Sequence, residues 1–185
     1  MDTNVSETSS SKGRLDSRDV GFLIFLAFAM AAVIALGTLT FKEGLHVENA
    51  KQNGEAWMNW LAQAGPERMS ETYEPQACAG TKVADKTSNT WGDCMNYLRN
   101  HSQLKNLVNS FSNQPLHVVE KCNKSDLSTR GAISFNNIVS TPVGSAVPTV
   151  ITPLIESTPI DSKLLIRITV CDKGGYPIKV GEIEF

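Results

Sequence analysis

Apolar and polar residues alternate along this chain with three different periods. Positions 20–41 carry no charge, bracketed by Asp19 and Lys42, and hold Leu23, Ile24, Phe25, Leu26, Phe28, Met30, Val33, Ile34, Leu36 and Leu39. The run is about 22 residues long, and an α-helix needs about 20 to cross the hydrocarbon of a bilayer. It predicts a transmembrane helix. Apolar residues then thin to a stripe: Val47, Ala50, Gly54, Trp57, Leu61 and Ala64 recur at spacings of three and four. Lys51, Gln52, Glu55 and Asn59 fill the other side, so the helix is expected to continue over 42–66 as an amphipathic one. Gly65-Pro66 ends it. The Trp57, Trp60 and Leu61 cluster is expected to face a core, with a seam against a partner helix as the alternative.

Beyond the helix the period changes again. Positions 68–91 are irregular. Positions 91–111 read as a helix or two, with Cys94, Tyr97 and Leu98 on one face and Leu104, Leu107, Val108 and Phe111 on another. Pro115-Leu116-His117-Val118-Val119 reads as a short strand, and 131–139 as a second. Pro142, Pro148, Pro153 and Pro159 forbid a helix over 140–159 and suit an edge strand or an extended crossing. The clearest pattern closes the chain: Leu164, Ile166, Ile168 and Val170 alternate, Asp172-Lys173-Gly174-Gly175 turns, and Tyr176, Ile178 and Val180 alternate back. The phase then shifts to Ile183 and Phe185, with Gly181 placed for a bulge. The predicted class is α+β: a transmembrane helix running into an amphipathic one, then a small disulfide-stapled domain with an antiparallel sheet ending in a hairpin. The organisation is a polar tail over 1–19, the span over 20–41, the amphipathic helix over 42–66 and an exported domain over 67–185. The tail has only Val5 and Leu15 as large apolar residues and is expected to be disordered.

Cysteine adds a compartment to this picture. All four, Cys78, Cys94, Cys122 and Cys171, follow the apolar run. An even count on one side of a span reads as two disulfides in an oxidising compartment. Three pairings are open; Cys78–Cys94 with Cys122–Cys171 is favoured, since it closes one local loop and ties the middle of the domain to its last hairpin. Lys12, Arg14 and Arg18 precede the span while Lys42 and Lys51 follow it, a bias towards a cytoplasmic N-terminus. Both cues place the C-terminal domain in the periplasm or outside the cell. A cleaved signal peptide is the rival reading, with Ala35-Leu36-Gly37 as the processing site. The net charge of −2 offers no basic face, which argues against nucleic acid as a partner.

Candidate chemistry is sparse. His46, His101 and His117 show no metal-ligand spacing, and the cysteines lack CxxC spacing. No GxSxG, P-loop or GxGxxG motif occurs. Glu182 and Glu184 alternate with Ile183 and Phe185, as on the solvated face of a strand. No enzyme activity, metal or cofactor is therefore expected. The interaction signal is stronger: Ala27, Ala31 and Ala35 recur every four residues in the span, and small residues at that spacing let helices approach closely in lipid. Self-association or a protein partner is the expectation.

A polar leader ending in Gly21, then Phe22-Leu23-Ile24, an apolar helix passing into an amphipathic one and a disulfide-bearing domain ending in strands resembles a type IV pilin or pseudopilin. The resemblance implies processing between Gly21 and Phe22 and assembly through the helix. Leu26 stands fifth after that junction, where most pilins carry a glutamate used in assembly. The expected function is thus a non-enzymatic, single-pass anchored protein with a structural or interaction domain, and the resemblance implies a pilin-like filament subunit. The alternative is a ligand-binding accessory or sensory domain, with a pocket between the sheet and the helices of 91–111.

Overall fold

The computed structural model describes residues 17–80, 89–139 and 149–185. Most of the polar tail, Pro142 and Pro148 therefore lie outside the described residues. The chain divides into two compact units, Met1–Lys42 and Glu43–Phe185. Helix α1 spans Ser17–Ala64 and α2 spans Trp91–His101, while β1 (Ile133–Val139), β2 (Val150–Pro153), β3 (Leu165–Cys171) and β4 (Pro177–Glu184) form one sheet. The long N-terminal apolar helix, the small antiparallel sheet and two disulfides agree with the predicted α+β class.

In the first unit, α1 has no polar side chain over 20–41 beyond Thr38 and Thr40, and both hydroxyls donate back to helix carbonyls. Thr38 Oγ1 bonds the Ala35 carbonyl at 2.9 Å, and Thr40 Oγ1 bonds that of Gly37 at 3.0 Å. The apolar stretch thus keeps its hydrogen bonds to itself.

In the second unit the stripe does what its period predicts. Ala50, Gly54, Trp57 and Leu61 are buried, whereas Gln52, Glu55 and Asn59 are exposed. The helix lies on the sheet at Gly54, where a Cβ would come 2.7 Å from Val180 Cγ2 and 3.1 Å from Val170 Cγ1. Trp57 meets Phe135 edge to face at 5.4 Å, and Trp91 reaches the same ring from α2 at 5.2 Å. Ile166, Ile168 and Val170 of β3 complete this core, all fully buried. After Ala64 the chain leaves through a single 3₁₀ turn, Gly65–Glu67, so the stop at Gly65-Pro66 is observed.

The sheet order is β2-β1-β3-β4, every pair antiparallel. β3 and β4 form the closing hairpin. Its turn is held by Asp172, whose Oδ1 accepts from the Gly174 and Tyr176 amides at 2.8 Å each, and Gly175 takes φ +73°. The bulge lies where the phase shift requires it. Ile168 faces Gly181 and Thr169 faces Lys179, leaving Val180 as the extra residue. As a result Ile178 sits opposite Val170 and Ile183 opposite Ile166, both keeping the inward face. β2 is the predicted edge strand, exposed along all four residues.

Three expectations need correction. Helix does not extend through 91–111: α2 ends at His101, one 3₁₀ turn covers Gln103–Asn106, and 107–111 is non-helical. Ser102 is extended and its hydroxyl donates to the Leu98 carbonyl at 2.6 Å while accepting from the Leu104 amide. Asn109 is buried and bonds the Phe111 amide and the Arg130 carbonyl, which fixes 109–111 as a turn. Tyr97 does not share the buried face of Cys94 and Leu98; Met95 does, and the Tyr97 ring lies outside, stacked on His101 at 4.9 Å. Finally, 115–119 is not a strand. It makes only bridges, Val108 to Pro115 and Val118 to Ile133. Register explains this: β2 pairs β1 only over Asn136–Val139, so the flank of β1 at Ile133 is left for His117 and Val119 to bond, and no further.

The structure pairs Cys78 with Cys94 (Cα–Cα 4.5 Å) and Cys122 with Cys171 (5.4 Å), the favoured combination. The sequence separations are 16 and 49 residues. Chain-entropy reasoning assigns loops of these sizes about 3 and about 4 kcal/mol. The first bridge joins α2 to the 3₁₀ turn Gln76–Cys78, and the second joins the loop before β1 to the end of β3.

Candidate functional site

Ala27, Ala31 and Ala35 lie one turn apart on α1 and are exposed, as are Gly21 and Phe22. No neighbour lies within 4 Å of a Cβ placed on Gly21. The large side chains around them are equally uncovered: Phe25 is 71% exposed, Phe28 73% and Val33 70%. None of the most apolar stretch is buried. Among the described residues this is one helix long and apolar enough to cross a membrane. An uncovered apolar surface of this extent marks a site of contact with lipid or protein.

The domain holds a second feature, a groove of about 780 Å³ beside the first turns of α2. Trp91, Met95 and Val118 contribute apolar wall, and Asp93, Glu120 and Glu156 stand around it with Arg99. It is positioned by the capping box of α2, in which Thr90 Oγ1 accepts from the Asp93 amide while Asp93 accepts from the Thr90 amide at 3.1 Å. Gly92 lets the 154–157 segment come close: its amide bonds the Glu156 carbonyl at 2.9 Å, and a Cβ there would lie 2.9 Å from Glu156 Cβ. The space between sheet and α2 is filled by Trp91, Leu98 and Phe135, so the groove runs along the outer side of α2 from Thr90 to Arg99 and not between the layers.

The histidines are separate. His46 packs on Phe111 at 5.5 Å, His101 on Tyr97, and His117 Nε2 bonds the Ser128 carbonyl at 2.9 Å. Among the described residues no three His, Cys, Asp or Glu side chains are grouped to hold a metal ion. Glu182 is on the outer face of the hairpin, where Lys179 and Arg167 bond its carboxylate at 2.8 and 2.9 Å and hold it below the usual range. Glu184 pairs with Lys163.

Sequence reasoning missed Arg68. It is fully buried, and its guanidinium donates to the carbonyls of Ile160 and Ser162 and, at 3.1 Å, of Phe185, while lying 4.5 Å above the Phe185 ring. Burial pulls its pKa below the ordinary value, and burial likewise raises that of Tyr73 beside it. The arrangement joins the exit of α1, the 160–162 segment and the end of β4. An arginine in an irregular polar stretch is normally solvated, so a single sequence carries no signal for it.

No family model, curated protein or solved structure matches the chain.

Removing the Arg68 fork leaves the buried Ile160 carbonyl short of a donor, at about 1–3 kcal/mol, whereas the exposed Ser162 carbonyl can turn to water. Arg68→Met is expected to lower the unfolding free energy of the 43–185 fragment by about 1–3 kcal/mol. Arg68→Lys, with one ammonium in place of a planar fork, should recover only part of it. Urea unfolding of the three proteins measures both; a loss under about 0.5 kcal/mol for Arg68→Met would show the fork to be dispensable.

Proposed function

We propose that this chain is a non-enzymatic, single-pass membrane protein that presents the 43–185 domain outside the cytoplasm. The carrying observation is the uncovered apolar length of α1 over 20–41, for which the bilayer is the matching solvent. Two disulfides in the domain and none before it favour an oxidising compartment on the C-terminal side. The short-range bias of Lys and Arg favours a cytoplasmic N-terminus. The protein acts by association: Ala27, Ala31 and Ala35 offer a face along which a second helix approaches closely in lipid. A pilin-like filament subunit is the specific form this takes if the chain is processed at Gly21-Phe22. A ligand-binding accessory or sensory role is the second reading, favoured by the groove at α2, which is of a size that takes small ligands.

The mass of the mature N-terminus in the membrane fraction separates these forms. An intact N-terminus marks a plain anchor, and a chain beginning at Phe22 marks a pilin-like subunit. A chain beginning near Thr38 would mark a secreted protein and overturn the anchor.

Association has its own test. Ala31→Ile places a branched side chain at the centre of the small-residue face, whereas Val33→Ile adds one methylene on another face. Cross-linking in membranes is expected to fall several-fold for Ala31→Ile and to stay near wild type for Val33→Ile. Equal yields would remove the helix face from the account.

A further inference from the structure

The domain begins at Glu43, only two residues after Phe41, the last apolar residue of the run, so their Cα atoms are at most about 7 Å apart. If 20–41 spans a bilayer, whatever touches Glu43 lies at headgroup depth. Glu43 forms an ion pair with Lys173, in the turn between β3 and β4. That turn is rigid: Asp172 accepts from two of its amides, and a Cβ on Gly175 would lie 2.4 Å from the Asn123 carbonyl oxygen. The neighbouring 122–127 loop is tied to the same place by the Cys122–Cys171 disulfide. Together they display Tyr176, 51% exposed, with the Lys124 ammonium 4.1 Å above its ring. Leu127, three residues on from Lys124, is 60% exposed.

We infer that this tip is a lipid-contacting surface, with the Tyr176 ring at the headgroup boundary and the Lys124 ammonium beside it at phospholipid phosphates, while Lys173 keeps its pair with Glu43. The inference rests on the reading of 20–41 as a membrane span. A tyrosine has an apolar body and a polar end, which suits the water–hydrocarbon boundary, and a lysine stem reaches from that boundary to phosphate. The turn itself is made by Asp172 and Gly175, and half of the Tyr176 surface is left uncovered. Charge does not drive the contact: Lys121, Lys124 and Lys173 are balanced by Glu43, Asp126 and Asp172. Zwitterionic and anionic bilayers are therefore contacted alike, the aromatic ring being the anchor. The second disulfide acquires a purpose beyond stability, holding two loops as one platform beside the start of the domain.

The full-length chain, labelled with 3-fluorotyrosine and reconstituted in phospholipid nanodiscs, tests this by ¹⁹F resonance. The discs carry a lipid with a gadolinium chelate on its headgroup. The chain has three tyrosines, Tyr73, Tyr97 and Tyr176. Residues 43–64 of α1 extend about 1.5 Å per residue, roughly 30 Å in all. Tyr73 follows the far end of that segment, and Tyr97 lies one turn beyond Cys94, which is bonded to Cys78 past the same end. The resonance that Tyr176→Phe removes is expected to broaden several-fold with the chelate, while the other two change little. Equal broadening of all three, or none at Tyr176 in protein that does enter discs, overturns the lipid contact and leaves the span standing. Protein that fails to enter discs overturns the span and the tip contact with it.

Discussion

The second unit is organised by one close approach, that of helix residues 50–61 to the β3–β4 hairpin. Gly54 permits it, since any side chain there would meet Val180 and Val170. Trp57 and Leu61 are carried by that approach into the space over Phe135, and Trp91 closes it from α2. The hairpin must present a continuous apolar face for this to work. The extra residue at Val180 keeps Ile178 and Ile183 both inward, and Gly181 gives way to the Met58 sulfur. A one-residue slip without the bulge would turn half of β4 away from the helix. Helix, bulge and glycines are thus one solution to a single packing problem.

Around that contact the structure adds three ties. The two disulfides hold the irregular 65–80 and 111–132 regions, which contribute few residues to regular structure. Arg68 collects carbonyls from the 160–162 segment and from Phe185. A domain of about 140 residues buries enough surface to fold, yet two long irregular stretches gain little from backbone pairing. Covalent and charged-fork ties act where the sheet does not reach.

What was legible in the sequence was periodic. The apolar run, the three-and-four stripe to Gly65-Pro66, the alternating hairpin and its phase shift each repeat over several residues, so that one misplaced side chain does not hide them. Trp57 and Leu61 lie in the core, as the stripe predicts, while Trp60 is half-buried against Phe185 at 6.5 Å. What was illegible depends on single tertiary bonds. Leu107 and Phe111 have helical spacing, but the Asn109 side chain bonds backbone groups from two segments and makes a turn instead. Pro115 to Val119 has strand composition, but β2 already occupies most of the flank it would pair with. Arg68 and the groove beside Gly92 come from distant segments meeting, for which one sequence has no local mark. The long apolar helix was legible because its signal is composition summed over about 22 residues, which no single tertiary contact can hide.

The central claim is that one helix separates the two sides of the chain, with both disulfides beyond it. A pair of reporters fused after Phe185, one active only in the cytoplasm and one only after export, measures this directly. The account predicts activity from the export reporter and none from the cytoplasmic one. Cytoplasmic activity would contradict the orientation and the disulfide compartment together.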